Sequence, residues 1–306
     1  MNSSAPAVSV VIPTYNRAQF IERTINSVLQ QTFGDFEIIV VDDASNDNTE
    51  EVVKNINDSR IRYVRLPNNT NGTRPRNYGI ELSTGKFIAF LDSDDEWMPE
   101  KLEKQLNFIL ASVKGIDNIM CFTGLVLDDE FSRITKRNKP YINGMDIMSY
   151  IFLGGNTVQT STYMVSSSLA KAVKFDSDLR KHQDWDFCLR LRNNRAEFLY
   201  LDECLSIWHV GNRKDRLSNA NSNGNSSLEW LESKKGQLSL STQSIFQLIV
   251  TVDDLVMKKK YNRAALLAIK SLVKRKIGFF AFLRITARIV LPSHLRSEIS
   301  SVLSRF

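Results

Sequence analysis

Apolar and polar positions follow two different periods through the first third of the chain. Val8–Ile12, Phe36–Val41, Ile61–Leu66 and Phe87–Leu91 are short apolar runs of strand length. Between them the spacing turns helical. Phe20, Ile21, Ile25, Val28 and Leu29 recur on one face, segments 49–56 and 76–82 repeat the pattern, and a further helix starts after Pro99 and runs to about residue 112. The order is β-α-β-α-β and onward. The run Ile38-Ile39-Val40-Val41 has no polar face, as expected of a strand covered on both sides. The pattern predicts an α/β fold with a mixed, mainly parallel sheet and helices on both faces. Ligands of such sheets bind beyond the carboxyl ends of the strands.

The second third is less regular. Strands are expected over 120–127, 162–165 and 205–210, and helices near 144–152, 168–173 and 185–192. Residues 211–227 are rich in Asn, Ser and Gly, which reads as a mobile loop. Three helical patterns follow, over 228–257, 262–276 and 278–291. The expected organisation is one α/β domain over 1–227, with halves 8–112 and 113–210, and a helical extension over 228–306.

Composition narrows the function classes. With 42% hydrophobic and 24% charged residues among 306, the chain has a globular balance that excludes a disordered or coiled-coil protein. Its net charge of +6 invites a nucleic-acid partner until it is divided along the chain. Residues 251–306 carry 12 Lys and Arg against 3 Asp and Glu, leaving 28 against 31 for residues 1–250. A slightly acidic body is a poor phosphate-tracking surface, so no nucleic acid is expected. Cys121, Cys188 and Cys204 are far apart and odd in number, which fits a reducing cytoplasm and no zinc site. The first seven residues read as no signal peptide, and no run reaches the ~18 apolar residues of a membrane span.

Four polar clusters fall where strands end or a helix begins. Val10-Val11-Ile12 stops at Pro13 and presents Thr14, Tyr15 and Asn16, a tip that can stack on a flat base or simply turn the chain. Val41 runs into Asp42-Asp43-Ala44-Ser45-Asn46-Asp47, where one carboxylate can accept the imide N–H of uracil and others can cap the next helix. Leu91 leads into Asp92-Ser93-Asp94-Asp95-Glu96. Such density after a buried strand is costly without a cation, and hard divalent ions bind through one or two carboxylates plus substrate phosphates. Finally, Asp184 in Gln183-Asp184-Trp185-Asp186 is placed either as a helix-capping carboxylate or as a general base in a cleft.

In type, order and spacing these clusters resemble the family 2 glycosyltransferases of the GT-A fold. The matching stretches are Val10–Arg17 with its P-x-Y-N, Phe36–Thr49 with Val-Asp-Asp-x-Ser-x-Asp-x-Thr, Arg76-Asn77-x-Gly79, Gly85–Asp95 with Asp-x-Asp-Asp, and Gln183-Asp184. The resemblance covers about residues 8–210. It implies a donor site of Pro13, Thr14, Tyr15, Asp43, Arg76, Asp92 and Ser93, with Tyr15 and Asp43 on the nucleotide base and Arg76 near the diphosphate. It also implies Mn²⁺ or Mg²⁺ on Asp94, completed by His209, and Asp184 as catalytic base. Gln183 departs from the Glu-Asp pair commoner in the family. By residue type alone, His209 is a strand residue.

The implied reaction is an inverting displacement from a nucleotide-sugar, UDP-sugars first, to a glycan or lipid-linked acceptor in bacterial surface-polysaccharide synthesis. The alternatives are a nucleotide-sugar pyrophosphorylase, suggested by Gly72-Thr73-Arg74-Pro75, and an inactive sugar- or membrane-binding module. The string Gly72–Pro75 stands in the wrong loop for the first, and the intact acids argue against the second. The basic tail, with Arg284 and Arg288 beside Phe279, Phe280 and Phe282, suits peripheral contact with an anionic inner membrane at its cytoplasmic face. Packing on the catalytic domain or a homodimer contact is the competing expectation.

Overall fold

The computed structural model describes residues 5–70, 73–129, 131–210, 224–274 and 276–291. Among the described residues nine strands form one sheet in the order β3 (Ile61–Arg65), β2 (Phe36–Asp42), β1 (Val8–Thr14), β4 (Phe87–Phe90), β8 (Met164–Ser166), β6 (Ile119–Asp128), β9 (Glu197–His209) and β5 (Glu96–Trp97), with β7 (Arg133–Lys136) paired to β6. β1, β2, β3 and β4 are mutually parallel. β8 joins antiparallel to both β4 and β6, and β9 runs parallel to β6. β5 and β7 are antiparallel edges. The expected mixed, mainly parallel sheet is present.

Alternation along the strands divides the core into two faces. Val8, Val10 and Ile12 of β1 pack with α1 (Ile21–Leu29) and α4 (Lys101–Ser112), while Val11 faces α3 (Arg74–Leu82). Gly79 of α3 lies so close to β1 that a Cβ there would meet Val11 Cγ1 at 2.3 Å. The tight helix-to-strand packing that glycine permits brings the start of α3 to the strand tips. α2 (Thr49–Asn55) completes the first half.

Three short or polar strands departed from the sequence expectation. β5 is two residues long, β7 is a polar edge, and β9 begins at Glu197 rather than at 205. A register shift around Gly124 lets β9 continue alongside β6 across its polar stretch. The helices α5 (Ile147–Phe152), α6 (Ser167–Val173) and α7 (Gln183–Asn193) fall close to their expected places.

Among the described residues the extension holds four helices where three were expected: α8 (Gly224–Lys234), α9 (Leu240–Met257), α10 (Tyr261–Val273) and α11 (Phe279–Val290). A short 3-10 turn at Lys235–Gln237 and a Ser239 cap on Thr242 N–H divide the first expected segment. Residues 224–227 of the expected loop belong to α8; the rest of that loop lies outside the described residues. The extension shares its core with the second half of the sheet. Trp230, Phe246, Val252, Ile285 and Ile289 are buried in the same cluster as Phe122, Phe152 and Phe187. The α8–α7 contact is also ionic: fully buried Asp186 accepts from Trp230 Nε1 at 3.1 Å and pairs with Lys234 at 3.0 Å.

Candidate active site

The tips of β1, β2 and β4, the start of α3 and the start of α7 converge on a cleft of about 470 Å³. Pro13, Thr14, Tyr15, Asp43, Arg76, Asp92, Ser93, Asp94 and Asp184 all line it. Nine of the ten expected site residues are thus brought together.

The loops after β1 and β2 are tied to each other before they meet any ligand. Asn16 takes a left-handed backbone (φ 51°), its N–H donates to Ser45 Oγ and its Oδ1 accepts from Asn46 N–H. Of the acids after β2, Asp42 is buried and accepts from Tyr63 and Ser45, and Asp47 holds the backbone of Ala18 and Thr49. These two are structural. Asp43 faces the cleft, where it also accepts from the Thr70 N–H and hydroxyl. A carboxylate has about four acceptor positions, so Asp43 retains capacity for one more donor. Tyr15 leaves 39% of its surface open, a ring available for stacking.

The motif Arg76-Asn77-x-Gly79 divides its labour. Asn77 clamps the Phe175 backbone through both amide atoms, Gly79 admits Val11, and Arg76 reaches into the cleft. Arg76 pairs with Asp92 and donates to Gln183 Oε1 at 3.0 Å. Its Nε and the Thr14 hydroxyl are buried with no partner among the described residues. Buried polar atoms are rarely left so, and a polar ligand would satisfy both.

The acids after β4 separate into distinct tasks. Asp92 is held by Arg76 and Gln159. Asp95 is fully buried, and burial, with Asp94 and Asp92 nearby, pushes its carboxyl well above the usual range. It accepts from Ser161 Oγ at 2.7 Å and Gln159 Nε2 at 3.0 Å, so it anchors the loop before β8. Glu96 pairs with Arg23 at 3.1 Å. Asp94 remains at the cleft, with Arg17 Nε 3.9 Å away. Arginines therefore counter much of the charge density that the sequence left to a cation.

His209 does not line this cleft. Its Nε2 lies 2.7 Å from Glu96 Oε1 and its Nδ1 3.7 Å from Asp128 Oδ2, while its backbone N–H donates to Asp95. Strand alternation turns Trp208 to the cleft and His209 toward Glu96 and Asp128, a different placement from the expected one beside Asp94. Among the described residues no group of three His, Cys, Asp or Glu side chains forms a metal cluster. What the cleft offers a divalent ion is the hard oxygen donor of Asp94, which fits an ion that takes its other ligands from phosphate and water.

Asp184 sits in the first turn of α7, partly open to the cleft and otherwise enclosed by protein. Burial raises its carboxyl to about 6, a hydrogen bond from Trp185 N–H at 2.9 Å opposes this, and Asp92 adds a smaller upward push. Such a carboxylate is a stronger base than an exposed one and is ionised at neutral pH. His182 precedes it in a left-handed conformation, stacks on Trp185 and bonds Ser227 of α8 at 2.8 Å. Burial pulls its imidazole down to about 3, so it is neutral. Sequence reasoning gave no role to Gln159 or Trp208, both in the lining. Gln159 carries no motif signal, whereas Arg17 sat in the quoted Val10–Arg17 stretch.

The same architecture is found in a solved structure: TarS of S. aureus in complex with UDP-GlcNAc, with a TM-score of 0.59, 18% identity, and coverage of 97% of this chain and 90% of that one. The sequence family follows from closer likenesses. The glycosyl transferase family 2 profile matches residues 9–153. The amylovoran biosynthesis glycosyltransferase AmsB of Erwinia amylovora is 32% identical over 237 residues, 75% of this chain and 78% of its own. A UDP-Glc:α-D-GlcNAc-diphosphoundecaprenol β-1,3-glucosyltransferase, WfgD of Escherichia coli, is 42% identical over 105 residues, 34% of this chain and 42% of its own. The chain belongs to glycosyl transferase family 2. The pyrophosphorylase alternative falls with that assignment, since Thr73 and Arg74 open α3 rather than following β1.

Proposed function

We propose that the cleft binds a UDP-sugar and that Asp184 deprotonates an acceptor hydroxyl for a single, inverting displacement at the anomeric carbon. One observation carries the reading: an open aromatic ring (Tyr15), donors without a partner among the described residues (Arg76 Nε, Thr14 Oγ1), a hard acid facing the cleft (Asp94) and a carboxyl held near 6 (Asp184) line one cleft. Tyr15 stacks on the base, Asp43 accepts its N–H, and Pro13 and Ser93 shape the walls. Arg76 meets the diphosphate, beside Asp92. Asp94 would hold Mg²⁺ or Mn²⁺, which neutralises charge developing on the leaving diphosphate. His209 is left out of that set by its pairing with Glu96 and Asp128.

The acceptor is a glycan or lipid-linked sugar of bacterial surface-polysaccharide assembly, supported by what AmsB and WfgD are named for. Work on such an acceptor suits a chain with no helix, among the described residues, long and apolar enough to cross a membrane. Contact with an anionic cytoplasmic leaflet through the basic extension belongs to the same reading. The test is donor hydrolysis across a panel of nucleotide-sugars with Mn²⁺, with and without EDTA. Turnover of a UDP-sugar that EDTA suppresses is expected; no turnover of any donor would defeat the reading.

A further inference from the structure

A second cavity, of about 780 Å³, adjoins the donor cleft. The two share Gln159, Lys181, His182, Asp184 and Trp208, so the candidate base stands on their common boundary. The far wall belongs to the C-terminal extension: Ile245, Phe246 and Ile249 from α9, and Arg284, Ile285 and Arg288 from α11. A helical extension that walls a cavity beside the base is placed to select what reaches that base.

The cavity has an apolar wall and a cationic corner. Arg284 donates to the carbonyls of Gly154 and Leu153, which fix its guanidinium against Gly155. Gly155 has φ +72°, and a Cβ there would stand 2.7 Å from that guanidinium. The amine of Lys136, at the end of β7, has no hydrogen-bond or carboxylate partner among the described residues, and burial together with Arg288 lowers its pKa. Arg284 is lowered by burial and by the same Arg288. The opposing carboxylate is Asp253, 3.6 Å from Arg288, while Asp254 pairs with Lys258 at 2.8 Å. Three cations thus crowd a partly dehydrated corner in which, among the described residues, Asp253 is the one carboxylate within 4 Å of any of them. An anion with apolar substance attached would relieve the repulsion and cover the wall.

We propose that this cavity is the acceptor chamber and that Lys136 and Arg288 form an anion subsite in it for a lipid phosphate, with the lipid chain against α9 and α11. The inference rests on Asp184 being the base of the proposed transfer. The sugar end of the acceptor lies toward Asp184, and the phosphate is read by residues remote in sequence from every family motif.

Calorimetry on the full chain with undecyl phosphate, below its micelle concentration and at about 0.15 M salt, tests this. Undecyl phosphate should bind at least about tenfold more tightly than inorganic phosphate or neutral undecyl glucoside. Lys136→Met should lose about tenfold of that affinity and Lys136→Arg should restore it, with UDP affinity unchanged in both. Equal binding of undecyl phosphate by wild type and Lys136→Met overturns the subsite. Inorganic phosphate binding as tightly as undecyl phosphate overturns the lipid assignment. A chain that binds undecyl phosphate through Lys136 but binds no UDP would support the anion subsite while sinking the donor reading and, with it, the acceptor role of the chamber.

Discussion

Gln183 accepts a hydrogen bond from Arg76 across 3.0 Å, and the same guanidinium pairs with Asp92. A neutral amide in that place positions Arg76 without neutralising it. Among the described residues Arg76 is ion-paired with one carboxylate, and its Nε has no partner.

Gln183→Glu converts that hydrogen bond to an ion pair and sets a second negative charge beside Asp184. A like charge disfavours ionisation, so the acid limb of the pH–rate profile should move upward by about half a unit to one unit. Transfer or donor hydrolysis measured from about pH 5 to 8 checks this. An unmoved limb would show that Gln183 does not sense the base.

Asp184→Asn keeps the acceptor for Trp185 N–H and removes the base. Transfer should fall by roughly 10²–10⁴-fold while UDP affinity stays within about twofold. The wild-type acid limb should lie near the value of about 6 to which burial raises this carboxyl. Transfer by Asp184→Asn at the wild-type rate would move the base elsewhere, though not to Asp186, which is fully buried and bound to Trp230 and Lys234.

The same substitution has a stability consequence of opposite sign. A carboxyl whose pKa is raised by folding makes the native state less stable as pH rises from its ordinary value of 3.8 to about 6, and the whole cost is present above that. Asn carries no such cost. Discounting for access to water in the cleft, the variant should be more stable by about 1–3 kcal/mol near pH 7.5 and equal to wild type near pH 3.5. Urea unfolding at the two pH values measures the difference.

Asp94→Ala should remove the divalent-dependent part of UDP binding, weakening affinity by roughly tenfold or more in Mn²⁺ and little in EDTA. His209→Ala should leave that metal dependence in place, because its Nε2 is taken by Glu96 and its Nδ1 lies on the side of Asp128. Calorimetry with UDP distinguishes the two. A loss in His209→Ala equal to that of Asp94→Ala would return His209 to the metal shell.

Much of the sheet was legible because β1, β2 and β4 bury both faces and so carry uninterrupted apolar runs such as Val10–Ile12 and Ile38–Val41. β5 and β7 were not, since two residues have no period and Arg133-Ile134-Thr135-Lys136 is an edge exposed on one side. In the site, residues at strand tips could be placed because topology alone carries a tip to the ligand side. Which of several neighbouring acids faces the cleft could not be read from residue type; the family resemblance supplied Asp43, Asp92 and Asp94, which line it. Asp42, Asp47 and Asp95 differ from Asp43 and Asp94 by hydrogen bonds to Tyr63, Thr49 and Ser161, partners remote in sequence or chosen by loop geometry. His209 shows the same limit, for its partners lie 113 positions away at Glu96 and on the neighbouring strand at Asp128.

The extension divides its apolar residues between two surfaces, which changes what a membrane could meet. Ile285 and Ile289 of α11 are buried, Phe282 packs against the core, and Arg284 reaches back to Leu153 and Gly154, so most of that helix belongs to the fold. Phe279 and Phe280 stay exposed, and α10 adds Leu266, Ile269 and Val273 on the face opposite its buried Ala264 and Ala268. Exposed Lys270, Lys274 and Lys276 border this patch. Basic residues beside an anionic surface contribute about 1 kcal/mol each, a term that salt screens, while apolar insertion is not screened. Sedimentation with anionic liposomes should therefore weaken with salt without vanishing. Leu266→Ser with Ile269→Ser should abolish the salt-resistant part and leave UDP binding unchanged. Equal sedimentation of that variant and the wild type, or none by either at any anionic content, would return the patch to a contact between two copies of the chain.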